Sequence, residues 1–187
     1  RQVENNPNLA FIAGLKGDGS ARHDVRSEGM SYGMMTAVQM DDQDAFDDLY
    51  RFANQYMLQA GGWYAWSIGA IPDSNGDYSL VYDTNPAPDG EVWMATALYI
   101  AEQKWGTNVN NTFDYQAEAD ALATVVKEKF MVNVQPGIGD ITTGDSMVGK
   151  DLIVFTPENN TYTDPSYHMP AFYEYWSIVG FQNDQTE

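Results

Sequence analysis

Residues 89–105 read DGEVWMATALYIAEQKW. In a helical conformation this stretch is apolar around most of its circumference, and the residue behind it, Gly106, is of the type at which helices commonly end. A helix that is apolar on nearly all sides has to be surrounded by other parts of a protein. The stretch therefore predicts a buried helix, for which the remainder of the chain must supply neighbours.

Four further stretches have helical spacing of apolar residues. Residues 28–40 and 165–180 are again apolar on most sides, whereas residues 42–59 and 114–131 have one apolar and one polar face. The order along the chain is therefore buried, amphipathic, buried, amphipathic, buried. It predicts an all-α fold in which an inner ring of helices is wrapped by an outer ring, and five helices supply only part of such a toroid.

The segments between these helices carry turn and strand signals. Asp164-Pro165 is predicted to begin the last helix, because Asp is a common N-cap and Pro fits the first helical position. The first 27 residues are expected to be mostly loop. Short extended segments are expected at residues 9–12, 63–68 and 78–82.

The composition excludes several classes of function. The chain has 187 residues and no Cys, which excludes disulfides and thiol catalysis. Nine basic against 27 acidic residues give a net charge of −18, so neither nucleic acid nor an anionic membrane surface is an expected partner. No apolar run approaches the roughly 18 residues of a membrane span. The length fits one domain or a piece of a larger one.

Polar clusters stand at the start of all three buried helices. They comprise residues 26–28, residues 86–91 and residues 164–168. If alternate helices run in the same direction, these N-termini meet on one face and bring carboxyl groups, a phenol and an imidazole together. The alternative is that Asp89 and Asp164 only cap their helices. Glu91 offers a second acid in the same turn as Asp89.

Glu28 opens a nearly apolar helix, which suits either of two roles. The helix dipole stabilises a carboxylate there and lowers its pKa, whereas burial raises the pKa of a carboxyl group. A general acid needs a raised pKa, so for that role the effect of burial on the pKa of Glu28 has to exceed the effect of the helix dipole. The pattern alone leaves a structural cap and a catalytic acid equally open.

The aromatic residues suggest a sugar-binding cleft, because the apolar faces of sugar rings stack on aromatic side chains. Trp66 lies outside a clear helix and is therefore expected in a cleft. Trp93 and Trp176 are expected to fill the core instead.

No metal site is expected. Asp73, Asn75 and Asp77 have the spacing of a calcium loop, but Thr84 occupies the twelfth position where Glu is needed, so a solvated turn is favoured. The two histidines, His23 and His168, are far apart in sequence.

Four stretches together resemble glycoside hydrolase family 8, and in particular its xylan-acting members, including the reducing-end xylose-releasing oligoxylanases. The stretches are HDVRSEGMSYGMM (23–35), GWYAW (62–66), NPAPDGEVWMATALYIAEQKWG (85–106) and TDPSYHMPAFYEYW (163–176). The resemblance implies an (α/α)6 barrel and hydrolysis with inversion, by a general acid and a more distant general base, without metal or cofactor.

By this resemblance, Glu28 corresponds to the general acid and Asp89 to the residue that holds and distorts the sugar at the cleavage point. Tyr167 corresponds to a tyrosine beside the catalytic centre. The resemblance also implies four substrate-binding residues, namely Trp66, Arg26, Tyr32 and His168. The general base is expected beyond Glu187 and the first helix ahead of residue 1, so residues 1–187 are expected to be a partial catalytic domain, about half of the barrel.

The hypothesis is an inverting hydrolase of β-1,4-xylan or xylo-oligosaccharides. The remainder of the barrel is expected as a second chain or a further segment. One alternative is an endo-β-1,4-glucanase of the same family, and another is a non-catalytic sugar-binding fragment. A bacterial protein is implied, extracellular or periplasmic, or cytoplasmic if it acts as an oligoxylanase.

Overall fold

A computed structural model describes residues 2–3, 6–14, 24–106, 113–133, 149–157 and 163–180. These residues form five α-helices: α1 Ser27–Gln39, α2 Gln43–Tyr56, α3 Pro88–Trp105, α4 Tyr115–Val125 and α5 Pro170–Val179. Eight short strands accompany them: β1 Gln2–Val3, β2 Asn6–Ala10, β3 Ala13–Gly14, β4 Asp24–Arg26, β5 Ser67–Gly69, β6 Val81–Asp83, β7 Met131–Asn133 and β8 Asp151–Ile153. The four helices predicted first along the chain are confirmed.

Helix α3 is the centre of the core, as its apolar circumference predicts. It packs against α1 on one side and α4 on another, and α2 packs on α1. Residues Met94 to Tyr99 of α3 are all buried. Trp176 from α5 also reaches the core and donates a hydrogen bond from its indole Nε1 to Thr96 Oγ1 at 2.8 Å. The core role expected for Trp176 is thereby confirmed.

The amphipathic helices begin where their sequences predict. Asp42 Oδ1 accepts a hydrogen bond from the Ala45 backbone N–H, and Asp114 Oδ1 accepts one from the Ala117 backbone N–H, both at 3.0 Å. Such bonds satisfy backbone donors that the first helical turn leaves unpaired. Helix α4 does not end at Val125 but continues as one π-helical turn, Val126–Phe130.

A small antiparallel sheet with the order β3-β4-β5-β6 lies beside the helices. The mainly loop conformation expected for residues 1–27 is wrong in this respect, because β2, β3 and β4 all fall there. Extended segments were expected at 63–68 and 78–82. The strands found there, β5 and β6, are shorter and lie towards the C-terminal end of each expected range. Strand β4 runs directly into α1, so its pairing with β5 holds the start of α1 in place.

The predicted start of the last helix is wrong. Asp164 Oδ1 does accept a hydrogen bond from the Ser166 backbone N–H at 2.8 Å, but the turn that follows is a short 3₁₀ helix, Pro165–Tyr167. The α-helix begins only at Pro170. Met169 precedes this proline and has a non-helical backbone, with φ of −118° and ψ of 74°, as expected because a following proline disfavours the helical conformation.

Apolar surface remains open on two of the helices expected to be buried. Helix α5 buries only Trp176 and Val179, and Met40 at the end of α1 is 74% exposed. Among the described residues there are no neighbours to cover these faces, so burial on most sides is confirmed for α3, whereas these residues cover α5 only at Trp176 and Val179. None of the helices within the described ranges is long and apolar enough to cross a lipid bilayer.

Candidate active site

A cleft of about 680 Å³ opens at the N-terminal ends of α1 and α3. Glu28 and Trp66 stand on one part of its wall, and Tyr167 and Phe155 on another. The full lining is Glu28, Trp66, Asp83, Asn85, Pro86, Ala87, Phe155, Thr156 and Tyr167. Three of the residues that the sequence singles out thus meet in one concave site.

Close contact between two helix starts brings the acidic residues together. Gly90 lies in the first turn of α3 against Ser27, the first residue of α1, and a Cβ atom at Gly90 would stand 2.8 Å from Ser27 Oγ. Only glycine permits this approach without a shift. The contact places Glu28, the next residue of α1, near Asp89, the residue before Gly90.

The Glu28 carboxylate is held by two hydrogen bonds. Its Oε1 accepts one from the indole Nε1 of Trp66 at 2.9 Å, and its Oε2 accepts one from Ser27 Oγ at 3.4 Å. Glu28 is therefore orientated within the cleft, and both of these bonds come from side chains and not from a backbone N–H of the first turn, as a capping bond would.

Trp66 is fixed through its backbone as well as through its ring. Its N–H donates to the Asn85 carbonyl at 2.8 Å, and its carbonyl accepts from the Ser27 N–H at 3.1 Å. The Arg26 guanidinium lies over the indole at 5.0 Å from the ring centroid and forms an ion pair with Asp24 at 2.9 Å. Since Arg26 covers one ring face, only the other face is left for a ligand.

Asp89 lies at the second position of α3, whereas the N-cap position is occupied by Ala87. The hypothesis that Asp89 is the cap of this helix is therefore wrong. Burial and then the negative charge of Glu28 raise the pKa of Asp89 to about 7, against the opposing effect of the backbone N–H groups of Gly90 and Asp89 itself. Asp89 Oδ1 is buried and has no hydrogen-bond partner among the described residues.

The capping hypothesis for Asp164 is confirmed, although the turn it caps is 3₁₀. Bonds from the side chain and backbone of Ser166 lower the pKa of Asp164. His168 follows closely, with its Nε2 at 2.8 Å from Thr163 Oγ1. Burial lowers the pKa of His168, while the charge of Asp164 raises it.

Tyr167 and Tyr32 occupy different positions relative to the cleft. Tyr167 lines it and stacks on Phe155, with the ring centroids 6.1 Å apart. Tyr32 lies one turn along α1 from Glu28 and lines a second, apolar groove. Its pKa is raised by burial, then by the charges of Asp89 and Glu28, so its phenol lies within electrostatic reach of both acids. Its ring packs edge-on against Trp93, a residue packed against the core as expected.

The acidic turn at residues 73–77 is a closed hydrogen-bonded loop. Asp73 Oδ1 accepts bonds from the backbone N–H groups of Asn75 and Asp77 at 2.8 and 3.1 Å. Residues 73–77 are all exposed to solvent. Within the described ranges, no group of three or more acidic or histidine side chains is arranged to hold a metal ion, and His23 lies outside those ranges.

The sequence matches the family model described as glycosyl hydrolases family 8 over residues 13–186. The chain belongs to glycosyl hydrolase family 8. The reducing-end xylose-releasing exo-oligoxylanase of Halalkalibacterium halodurans is 38% identical over 168 residues, which are 87% of this chain and 39% of that protein. Endoglucanase 2 of Ruminiclostridium josui is 35% identical over 156 residues, 83% of this chain and 30% of that protein.

The fold agrees with a solved member of family 8. The structure of a cold-adapted family 8 xylanase superposes with a TM-score of 0.77 at 32% identity, covering 98% of this chain and 42% of that one. The predicted (α/α)6 barrel class is confirmed, and this chain corresponds to a part of it. The chain spans about 39% of the length of the oligoxylanase.

Sequence reasoning missed several residues of the family 8 cleft. Phe155 and Thr156 line it from the segment after β8, and Asp83 lines it from β6. A three-residue strand such as β8 is too short for a period-two pattern to stand out. No pattern in the sequence distinguishes Asp83 from the many other aspartates of the chain.

Glu91 proves to be more unusual than its place beside Asp89 suggests. It is wholly buried, and its Oε1 accepts a hydrogen bond from the Tyr64 backbone N–H at 2.9 Å. Burial is the main cause that raises its pKa to about 8 from an ordinary 4.5, and the charges of Asp89 and Glu28 add to it. Glu91 is therefore mostly protonated at neutral pH.

The raised pKa of Glu91 predicts a pH-dependent stability. An acid with a raised pKa in the folded state stabilises that state fully below its ordinary pKa and loses this contribution as pH rises from about 4.5 to about 8. At about 1.4 kcal/mol per pKa unit, the loss between pH 4.5 and pH 7 is on the order of 3 kcal/mol. Glu91→Gln has no proton to lose at this position. Its free energy of unfolding, relative to that of wild type, should therefore rise as the pH is raised across this range.

Urea unfolding of the whole protein between pH 5 and pH 8 measures the difference. The matched control is Glu128→Gln, which makes the same substitution at an exposed glutamate after α4. Parallel curves for Glu91→Gln and wild type would contradict a protonated, buried Glu91.

Proposed function

We propose that the whole protein that carries this chain hydrolyses β-1,4-xylan or xylo-oligosaccharides with inversion, and that Glu28 is its general acid. The observation that carries the proposal is the Glu28 carboxylate in a cleft, held on one oxygen by the Trp66 indole. Similarity to an exo-oligoxylanase and to a family 8 xylanase supports xylan as the substrate class.

In this reaction Glu28 donates its proton to the glycosidic oxygen as the bond between that oxygen and the anomeric carbon breaks. A water molecule attacks the anomeric carbon from the opposite face and gives its proton to a second carboxylate. In inverting enzymes the two carboxyl groups stand about 6.5–9.5 Å apart, which leaves room for the water. The product therefore has the opposite anomeric configuration.

Asp89 is proposed to bind the sugar at the cleavage point. Its pKa of about 7 leaves it able to accept a hydrogen bond as a carboxylate or to donate one as an acid near neutral pH. Its position beside Glu28 suits a residue that holds the sugar where the proton is delivered. Tyr167, which lines the cleft, is proposed to bond one of these carboxyl groups or the sugar between them.

Four residues are proposed to bind the sugar chain. Trp66 offers the ring face that Arg26 leaves open, and the half-exposed Arg26 offers a donor at the edge of the cleft. His168 follows Tyr167 and is half-buried, so its imidazole can orientate a sugar hydroxyl. Tyr32 is proposed to bind the sugar close to the two acids, since the charges of Asp89 and Glu28 both raise the pKa of its phenol.

The general base and the remaining helices are proposed to come from protein beyond these residues. The relatives are more than twice as long as the matched part, and α1 and α5 expose the apolar surface that further barrel helices would cover. Residues 1–187 are accordingly proposed to be one part of a single barrel domain. Its completion comes from a further segment or a second chain.

A second candidate is an endo-β-1,4-glucanase, and the similarity to endoglucanase 2 of Ruminiclostridium josui favours it. Xylose lacks the hydroxymethyl group that glucose carries, so the two substrates differ in the space they need beside the ring. Relatives of both kinds are bacterial. An enzyme for polymeric xylan would have to act outside the cell, whereas an oligoxylanase could act in the cytoplasm.

Reducing-sugar release from xylan, xylohexaose and carboxymethylcellulose tests the proposal. We expect the whole protein to cleave xylan or xylohexaose faster than carboxymethylcellulose. Preference for carboxymethylcellulose would establish the glucanase instead. Binding of oligosaccharides without cleavage of any substrate would leave a non-catalytic sugar-binding protein.

Trp66→Phe keeps an aromatic ring but removes the donor to Glu28. We expect kcat/KM to fall roughly ten- to hundredfold, since hydrogen bonds to charged groups are worth about 1.5–3 kcal/mol. The matched control is Trp63→Phe in the same loop, because the Trp63 indole donates to the Thr84 carbonyl and not to an acid. Equal losses in the two variants would show that the indole of Trp66 has no special relation to Glu28.

Trp66→Ala separates stacking from hydrogen bonding. If the open ring face binds a sugar, this variant should also raise KM, by the equivalent of about 1–3 kcal/mol for the lost apolar contact. Steady-state kinetics on xylohexaose provide the measurement. A KM equal to that of Trp66→Phe would show that the ring does not stack on the substrate.

A further inference from the structure

Glu91 lies behind the wall of the cleft, on the side of α3 that faces the core. It is 0% exposed and follows Asp89 by two residues, so the helical rotation turns it away from Asp89. Its Oε1 accepts the hydrogen bond from Tyr64, while its Oε2 is buried without a partner among the described residues. A buried carboxyl group with one unsatisfied oxygen is costly.

Stability does not account for such a residue. A well-packed apolar side chain of similar volume at this position would avoid the desolvation of a polar group. What Glu91 provides and an apolar side chain cannot is an acceptor for the Tyr64 backbone N–H.

The Tyr64 N–H belongs to a tight hairpin that leads to Trp66. The hairpin is closed by hydrogen bonds from the Gln59 N–H to the Trp63 carbonyl and from the Ala65 N–H to the Met57 carbonyl, each 2.8 Å long. The Tyr64 phenol is anchored separately, donating to Asn54 Oδ1 at 2.6 Å. Glu91 lies in the first turn of α3 and bonds this hairpin at Tyr64, two residues before Trp66.

We propose that Glu91 is a positioning residue for Glu28. By accepting the Tyr64 N–H it holds the hairpin against α3, and the hairpin in turn presents the Trp66 indole N–H to Glu28 Oε1. The chain of contacts runs from α3 through residues 64–66 to the start of α1. This inference rests on the proposed function, in which Glu28 is the general acid.

The acceptor is a neutral group at neutral pH. The negative charges of Asp89 on α3 and of Glu28 on α1 both raise the pKa of Glu91, whereas the Tyr64 N–H lowers it. Glu118 and Tyr50 lie beyond Tyr64, around its phenol. A protonated carboxyl accepts a hydrogen bond through its carbonyl oxygen, as a glutamine amide does, so Glu91→Gln preserves the contact and Glu91→Met removes it.

The test uses the whole protein with three substitutions, Glu91→Met, Glu91→Gln and Glu91→Asp. Two quantities are measured: kcat and KM on the substrate that wild type cleaves best, and the position of the Trp66 indole ¹H–¹⁵N resonance, assigned with Trp66→Phe. For Glu91→Met we expect kcat to fall about tenfold or more, because a displacement of about 1 Å can cost up to 10²-fold. KM should stay within about threefold, as expected when an interaction of the transition state alone is lost.

The same variant should shift the Trp66 indole resonance, and Glu91→Gln should restore both kcat and the resonance to near the wild-type values. Glu91→Asp shortens the side chain by one methylene and withdraws the acceptor, so it should behave like Glu91→Met. It decides the matter if Glu91→Met does not fold. A merely structural role would lower stability without moving the indole resonance.

The proposal is overturned if Glu91→Met or Glu91→Asp keeps kcat, or loses kcat with the indole resonance unmoved. It is also overturned if Glu91→Gln is as impaired as Glu91→Met, since a neutral acceptor would then be insufficient. Failure of the proposed function is distinguishable. In that case wild type itself cleaves neither xylan nor glucan, while the indole resonance still reports whether Glu91 sets the position of Trp66.

Discussion

Glu28→Gln is expected to lose hydrolysis almost completely while still binding the substrate. Glutamine has the shape of a protonated glutamate and can keep the bond from Trp66, but it cannot give a proton to the leaving oxygen. General acid catalysis typically accelerates a reaction about 10²–10⁴-fold, so kcat of the whole protein should fall by a factor of this size or a larger one. Steady-state rates and calorimetric binding of xylohexaose measure the two effects separately.

Glu128→Gln again serves as the control, since this glutamate is exposed at the end of α4 and distant in sequence from the residues of the cleft. Its rate should match wild type. If Glu28→Gln retained activity within about threefold of wild type, Glu28 would be removed from the acid role, because proton donation contributes far more than that.

Residues 1–187 produced alone are expected to self-associate and to show no hydrolysis. Helix α1 exposes Tyr32 by 47%, Met40 directly after this helix is 74% exposed, and α5 buries only two of its residues. Soluble monomers rarely expose contiguous apolar patches beyond a few hundred Å². The general base is also proposed to lie outside these residues, so the reaction lacks one of its two carboxyl groups.

Sedimentation, thermal melting and xylohexaose cleavage measure these properties. A variant with Met40→Glu places a charge on the open face of α1 and should reduce self-association without restoring hydrolysis. A monodisperse monomer that melts cooperatively and cleaves xylohexaose would show that both the base and the domain boundary have been misplaced.

The sequence was sufficient for the features that depend on one long pattern. The eighteen residues of α3 are apolar on almost every side, and no element other than a surrounded helix accommodates that pattern. The position of Glu28 also stands out, as an acid that opens an apolar helix, although that pattern left open whether it is a cap or a catalytic acid. Both features could be recognised without knowledge of any contact.

Features that depend on contacts between distant segments were not predictable in the same way. The sheet β3-β4-β5-β6 consists of strands of two or three residues, too short to produce an alternating pattern. The hydrogen bond from Trp66 to Glu28 joins residues 38 positions apart. The break before Pro170 is different, because the restriction that proline places on Met169 was visible in the sequence and was outweighed by the Asp164-Pro165 signal.

The most direct test of the central claim is the anomeric configuration of the first products. The whole protein is mixed with xylohexaose, and the ¹H NMR signals of the newly formed reducing ends are followed before mutarotation. Inversion at a β-1,4 linkage predicts that the α-anomer appears first and the β-anomer only afterwards. Initial formation of the β-anomer, or the absence of any cleavage, would contradict an inverting xylan hydrolase with Glu28 as its acid.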